Sequence, residues 1–401
     1  MTATTSPVPD PTRTRPGSTR LLTGNHAAAW AARLARPQVA PVYPITPQTP
    51  ILELLTDFQA EGSFDAEILT PESEHSVLSA CIPASLAGAR VFTATASQGL
   101  LLMHELLHYA SGARAPIVMV NVNRTVASPW AFWPDQTDSL AQRDTGWIQF
   151  YCEGAQEVLD TVIQAYRIGE QVQLPVLVNQ DAFYVSHALE PVSVPAQQLV
   201  DDYLPPYAPA QRLDTALGQS WGNVVTQDMF CRHRQDVEAA MAGALAVAQD
   251  ADRVWSEATG RSYGLLERYR CDGAQVVVVA LGSMCGTARE AVDAMRADGV
   301  AVGLLKLRLL RPLPVQALRV ALAGVPDVVV LDRNHSPGLG GILHQELRAA
   351  LYGMPHAPRI HGFLAGVGGV NVSPQSIAQM VHTAQAQEPL VQSEWMRTSH
   401  A

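Results

Sequence analysis

Glu74 is the side chain in this sequence best placed for acid–base chemistry. It lies in Pro71-Glu-Ser-Glu-His-Ser-Val-Leu, between a predicted strand end and an Ala/Ser-rich helix. A carboxylate there can share a proton with a ligand nitrogen, or it can simply complement the positive end of the helix. Arg124 follows the apolar run Pro116-Ile-Val-Met-Val-Asn-Val, with Asn123 and Thr125 on either side. Its planar fork suits a small carboxylate; the structural alternative is a salt bridge at a strand end. His104-Glu-Leu-Leu-His108 spells the H-E-x-x-H zinc pattern, but that chemistry needs a third ligand and a helix lining a cleft. A packed crossover helix is expected here instead. Ser336-Pro-Gly-Leu-Gly-Gly is not G-x-G-x-x-G, and a tight turn with close helix packing accounts for it.

The elements that must hold these residues follow from pattern. Asn25–Ala35 is Ala-rich and predicts a helix. Val39–Tyr43 reads as a short strand that runs into Pro44-Ile-Thr-Pro-Gln-Thr-Pro, where prolines three apart forbid helix and fix an extended loop. A helix from about Ile51, a strand end at Ile68, a helix from Ser76 to Ala89 and a strand over Arg90–Thr95 come next. Ser97-Gln-Gly reads as a turn before a helix over Leu100–Tyr109. Pro116–Val122 and Pro175–Gln180 read as buried parallel strands, because their apolar runs are nearly continuous. This strand–turn–helix alternation to about Glu190 predicts a doubly wound α/β domain. Ligands of such sheets sit at the carboxyl ends of the strands, where Thr46, Glu74, Ser97, Gln98, Asn123 and Arg124 fall.

The rest of the chain divides by composition. Residues 1–20 read as a disordered tail without an apolar signal region, and 21–190 as the first α/β domain. Residues 191–270 read as a Pro-rich extended strap, to about 225, and a linker helix from His233 to about Ala258. A second α/β block fills 271–390, and 391–401 is a C-terminal tail.

The 401 residues are 47% hydrophobic with a formal net charge of −10, enough to bury a core and contrary to a nucleic-acid footprint. The apolar runs are too short to span a bilayer. Of 27 Lys and Arg residues all but Lys306 are arginine, and Lys306 falls in a predicted strand, which argues against Schiff-base or phosphate-cradling use. The five cysteines contain no C-x-x-C pair, which argues against a zinc ribbon or a cluster held by this chain alone. Scattered single cysteines fit a reducing, cytoplasmic setting.

Taken in order, Tyr43-Pro-Ile-Thr-Pro-Gln-Thr, Glu72-Ser-Glu-His-Ser, Phe92-Thr-Ala-Thr-Ala-Ser-Gln-Gly-Leu, Asn123-Arg and Asp135-Gln-Thr-Asp-Ser-Leu-Ala-Gln-Arg-Asp-Thr-Gly-Trp form a series. It resembles the alpha subunit of the 2-oxoacid:ferredoxin oxidoreductases, the pyruvate:ferredoxin oxidoreductase group in particular. Leu281-Gly-Ser, Arg311-Pro-Leu-Pro and Leu331-Asp-Arg-Asn extend the resemblance to about Gln385. It implies a pyrimidine-type thiamine-diphosphate-binding domain followed by a transketolase-C-like domain. It implies conversion of a 2-oxoacid, first of all pyruvate, with coenzyme A and ferredoxin, into acyl-CoA, carbon dioxide and reduced ferredoxin.

The resemblance also assigns residues and partners. Glu74 matches the glutamate that pairs with the cofactor's pyrimidine ring and promotes its reactive tautomer. Pro44, Ile45 and Thr46 match the loop against the cofactor, with Thr46 also beside the substrate. Arg124 matches the arginine that holds the substrate carboxylate. The cofactor is shared with a beta-type partner, which carries Mg2+ and the [4Fe-4S] clusters, and a gamma subunit can complete the assembly. This chain has no Gly-Asp-Gly magnesium motif. Three alternatives stand beside this reading: a transketolase-type enzyme without ferredoxin, a structural subunit with a vestigial site, and a zinc hydrolase.

Overall fold

In the computed structural model, residues 17–214 and 216–396 are described. The sheet nearer the N-terminus orders its strands as Leu309–Arg311, Ile148–Cys152, Val176–Asp181, Val118–Asn123 and Phe92–Thr95. The last four run parallel. A further parallel pair, Val39–Pro41 with Glu67–Leu69, continues the sheet through a bridge between Val39 and Val91. Both faces are covered, which is why these strands read as apolar runs rather than as an alternation. Phe92, Ala94, Val118, Val120 and Val122 face a core that also holds the Ala-rich helix Gly24–Ala35 and the helix Ala155–Val172. Val91, Ile117, Met119 and Leu177 face the other, packed on Val77, Leu78, Leu100, Leu107 and Trp147.

The second sheet orders Glu394–Trp395, Arg359–Leu364, Asp327–Asp332, Val276–Ala280, Val302–Leu307 and Leu266–Tyr269. All of its pairings are parallel except the last. The α/β class with parallel sheets is therefore as expected. No described helix is long and apolar enough to cross a membrane.

Several local expectations change. Ser18–Leu22 is a strand, paired antiparallel with Glu190–Val194, so the ordered chain starts before Leu21; residues 1–16 of the expected tail lie outside the described residues. The expected strap is regular at its start: after Glu190–Val194 comes the helix Gln197–Tyr203. Val192 and Val194 are buried two residues apart, and that period pins the strand despite Pro191. Ser97-Gln-Gly opens a helix, Ser97–Leu102, and Met103 separates it from His104–Gly112. The long linker helix spans Gln227–Thr259.

The predicted strand over 300–309 divides. Val302–Leu307 stays in the second sheet, while Leu309–Arg311 crosses to the edge of the first and pairs with Ile148–Cys152. The crossing carries two buried cations. Lys306 Nζ lies 2.8 Å from Glu153 and 2.7 Å from Glu157. Burial alone would favour the neutral amine, but the two carboxylates outweigh it and raise the Lys306 pKa. Arg308 donates to Thr161 Oγ1 and Gln164 Oε1, both at 2.9 Å. A buried pair adds little net stability over an apolar one, yet removing one partner strands the other charge at a cost of about 3–5 kcal/mol. Glu153 keeps Arg289 and Glu157 keeps Arg308, so Lys306→Met is expected to lower the unfolding free energy of the full chain by less than that, about 1–3 kcal/mol, seen as a lower denaturation midpoint; an unchanged midpoint would show that Lys306 contributes nothing to stability.

Candidate functional site

Arg124 follows the strand Val118–Asn123 and is 5% exposed. A charged guanidinium that far from water needs acceptors. Nη1 donates to the Thr46 carbonyl at 2.6 Å and Nη2 donates to Gln98 Oε1. Its flat face lies 5.0 Å from the centre of the Trp130 ring. Burial lowers the Arg124 pKa, while the charges of Asp138 and Glu74 oppose that shift. A guanidinium has five N–H donors, so these two bonds leave capacity, and the buried Nε has no partner among the described residues.

Glu74 is the first residue of the helix Glu74–Leu86, with Ser73 as its cap. Ser73 Oγ accepts from the Ser76 amide at 3.3 Å, so the helix end is satisfied without the Glu74 side chain. Glu74 is 8% exposed. Gly99 makes room for it: a Cβ there would lie 2.6 Å from Glu74 Oε1 and 2.6 Å from Thr95 Oγ1. No described residue donates a hydrogen bond to the Glu74 carboxylate, and the Thr95 hydroxyl is buried without a partner.

Thr46 reaches this group through its main chain. Its carbonyl accepts from Arg124 while its side chain is exposed. The loop that carries it is tied down by Asn25, whose Nδ2 donates to the Pro47 carbonyl at 2.7 Å. Pro44 is exposed, and Ile45 packs partly against the core. The structure thus places Glu74, Thr46 and Arg124 after the carboxyl ends of parallel strands along one edge of the first sheet, with the Thr46 carbonyl and the Glu74 charge both acting on Arg124, while Pro44 and Ile45 shape the loop behind Thr46.

Sequence reasoning passed over Asp138 and Trp130. Asp138 is completely buried and its carboxyl is pushed up to about 7 by burial, with hydrogen bonds from Asn123, Ser139, Asn121 and Arg124 pulling the other way. Its only signal was its place in the Asp135–Trp147 motif. Trp130 sits in an irregular loop with Phe132 and Trp133, where no helical or strand period marks it.

The weaker motifs resolve into structure. His104 Nδ1 is taken by Gln142 Oε1 at 2.5 Å, and His108 meets His104 edge-on. No group of three His, Cys, Asp or Glu able to hold a metal exists among the described residues, so the H-E-x-x-H pattern lacks its third ligand. The glycine loop serves packing: a Cβ at Gly341 would lie 1.9 Å from Asp332 Oδ2. Asp332 itself accepts from the amides of Leu343 and His344 at the head of the next helix. The position where a phosphate could dock already holds a carboxylate of the chain.

The donor-free Glu74 beside Gly99 is a carboxylate left open to a ligand. Residues 30–253 match the family model described as pyruvate flavodoxin/ferredoxin oxidoreductase, thiamine diphosphate-binding, and 274–377 match pyruvate:ferredoxin oxidoreductase core domain II. The pyruvate synthase subunit PorA of Methanothermobacter thermautotrophicus is 45% identical over 92% of this chain and 96% of its own. The ketoisovalerate oxidoreductase subunit VorA of Pyrococcus horikoshii is 45% identical over 87% and 89% respectively. Among solved structures, a 2-oxoglutarate:ferredoxin oxidoreductase from Magnetococcus marinus shares the fold, with a TM-score of 0.69 at 20% identity over 92% of this chain; this chain spans 65% of that one. The chain belongs to the pyruvate flavodoxin/ferredoxin oxidoreductase family, as a subunit of the type that PorA and VorA represent.

Proposed function

We propose that this chain is the alpha-type subunit of a thiamine-diphosphate-dependent 2-oxoacid:ferredoxin oxidoreductase, with pyruvate first among the oxoacids. The reaction is oxidative decarboxylation to acyl-CoA and carbon dioxide, with electrons leaving to ferredoxin through [4Fe-4S] clusters on a partner chain. The observation that carries this reading is a donor-free Glu74 and a buried, incompletely bonded Arg124 at the same edge of one sheet, close enough that the Glu74 charge acts on the guanidinium. Residues 21–190 form the pyrimidine-binding domain, 191–270 a strap and linker helix, and 271–390 the transketolase-C-like domain. The setting is the cytoplasm.

When bound, thiamine diphosphate supplies a carbon that adds to the oxoacid carbonyl and stores the electrons released on decarboxylation. Glu74 holds a hydrogen bond to the pyrimidine ring through a carboxylate oxygen, which fixes the ring's protonation state. Pro44, Ile45 and Thr46 line the cofactor. Arg124 pairs with the substrate carboxylate through the N–H groups that Thr46 and Gln98 leave free. Trp130 shields one face of that guanidinium from water, which strengthens its field on the substrate.

The beta-type partner contributes the diphosphate and Mg2+ site and the clusters. Two observations support a covering chain. The five cysteines have no closely spaced pair. Trp130, Phe132 and Trp133, at 52%, 47% and 48% exposure, also leave large aromatic area open beside Arg124.

The test is viologen reduction without oxygen by this chain co-purified with its partner, across a panel of 2-oxoacids. Reduction is expected to require the oxoacid, coenzyme A, thiamine diphosphate and Mg2+ together. Carbon dioxide release without viologen reduction would point to a non-redox transketolase-type enzyme instead. In the same assay, Arg124→Ala is expected to raise the oxoacid KM at least about tenfold, one decade for each ~1.4 kcal/mol of lost pairing. Glu74→Gln is expected to abolish turnover while the complex still assembles, as read by gel filtration; normal turnover would remove Glu74 from the mechanism.

A further inference from the structure

Asp138 gathers donors from three directions. Oδ2 accepts from the Ser97 amide at 3.1 Å, the Arg124 amide at 3.3 Å and Asn121 Nδ2 at 3.3 Å. Oδ1 accepts from Asn123 Nδ2 and from the Ser139 amide, both at 2.7 Å. The carboxylate is 0% exposed and lies behind the site, so it touches neither substrate nor cofactor. Two of its donors are main-chain amides of the segments that define the substrate wall. One belongs to Arg124. The other belongs to Ser97, whose neighbour Gln98 accepts from Arg124 Nη2.

Ser97 adds a second observation. Its φ is +47°, a left-handed conformation that a non-glycine residue keeps only where its surroundings enforce it. The enforcement comes from Asp138 at its amide and from the Thr125 carbonyl, which accepts from Ser97 Oγ at 2.5 Å. Strand ends 95–98 and 123–125 are thereby locked to each other through one carboxylate, and Gln98 and Arg124 are delivered at bonding distance.

We propose that Asp138 is a positioning residue for the Arg124 guanidinium, and that through it Asp138 sets the affinity for the 2-oxoacid carboxylate. The inference rests on the reading of Arg124 given under Proposed function. An acceptor-only group is required at this point. Asparagine has the same shape but turns an N–H2 toward donors already aimed at that position, leaving some of them buried and unpaired.

The test is a double-mutant cycle in the assembled complex, because coupling between neighbours appears as a failure of additivity. Asp138→Asn is expected to raise the oxoacid KM by about tenfold, equivalent to ~1.4 kcal/mol. The coenzyme A KM should stay unchanged and kcat should move less than about threefold. In an Arg124→Ala background, the same Asp138→Asn change is expected to alter the oxoacid KM by less than about twofold. If Asp138→Asn leaves KM alone, or raises it equally in both backgrounds, Asp138 is merely structural and the inference fails while the reading of Arg124 stands. If Arg124→Ala alone leaves KM unchanged, the reading of Arg124 fails and takes this inference with it. Should Asp138→Asn not accumulate in the complex, Asn123→Ala keeps the carboxylate and removes one 2.7 Å donor. It is expected to raise KM about threefold with wild-type Arg124 and not at all with Arg124→Ala; an equal rise in both backgrounds would overturn the inference.

Discussion

Keeping Arg124 charged while it is 5% exposed is the constraint around which the site is built. A guanidinium taken from water without compensation costs several kcal/mol even after relaxation. Here the compensation comes from separate loops: the Thr46 carbonyl after one strand and Gln98 after another, with the Trp130 ring over the face and the charges of Asp138 and Glu74 nearby. Moving any of these loops strands the cation. The need to satisfy one residue therefore fixes the relative positions of chain segments that are far apart in sequence. The same fixed frame leaves donor capacity on Arg124 that no described residue uses.

The second domain acts on this frame from behind. Asp181 ends the strand next to that of Arg124, a position where a ligand-binding carboxylate would be expected. It is instead spent across the domain boundary. It accepts from Arg333 Nη1 at 2.9 Å, from Ser283 Oγ at 2.6 Å and from the Ser283 amide at 2.9 Å. Together with Lys306, Arg308 and the strand Leu309–Arg311, which joins the first sheet, this clamps the two sheets into one unit. The relative placement of the two sheets is thus set by buried charged contacts rather than by the site residues themselves.

Much of the frame was legible. Buried parallel strands announce themselves as apolar runs, and prolines 44, 47 and 50 mark the loop that carries Thr46. Less was legible where tertiary contacts override local propensity. Ser97-Gln-Gly has turn composition, yet it opens a helix because Asp138, forty-one residues later, holds the Ser97 amide. Leu309–Arg311 is continuous in pattern with Val302–Leu307, so nothing in the period shows that the chain changes sheets between them. Asp138 is one aspartate in a polar stretch, and its burial depends on strands that pattern alone cannot bring together. Gly341 was legible as a packing glycine, and the 1.9 Å that would separate its Cβ from Asp332 Oδ2 accounts for it.

The acidic side chains near the carboxyl ends of the strands show what separates a residue open to a ligand from one filled by the protein. Asp138, Asp181 and Asp332 are each buried, and each is filled by protein donors: main-chain amides and Asn for Asp138, Arg333 and Ser283 for Asp181, Asn334 and a helix end for Asp332. Burial raises the carboxyl of Asp138 to about 7 and that of Asp332 to about 6. All of that polar capacity is used inside the molecule, so these residues act on neighbouring protein groups and offer no direct contact to a ligand. Glu74 has a comparable placement and 8% exposure, yet no described residue donates to it. A carboxylate that no protein group fills is open to a ligand donor, whereas a filled one is not. Counting donors, rather than locating charge, therefore singles out Glu74 among four similar candidates.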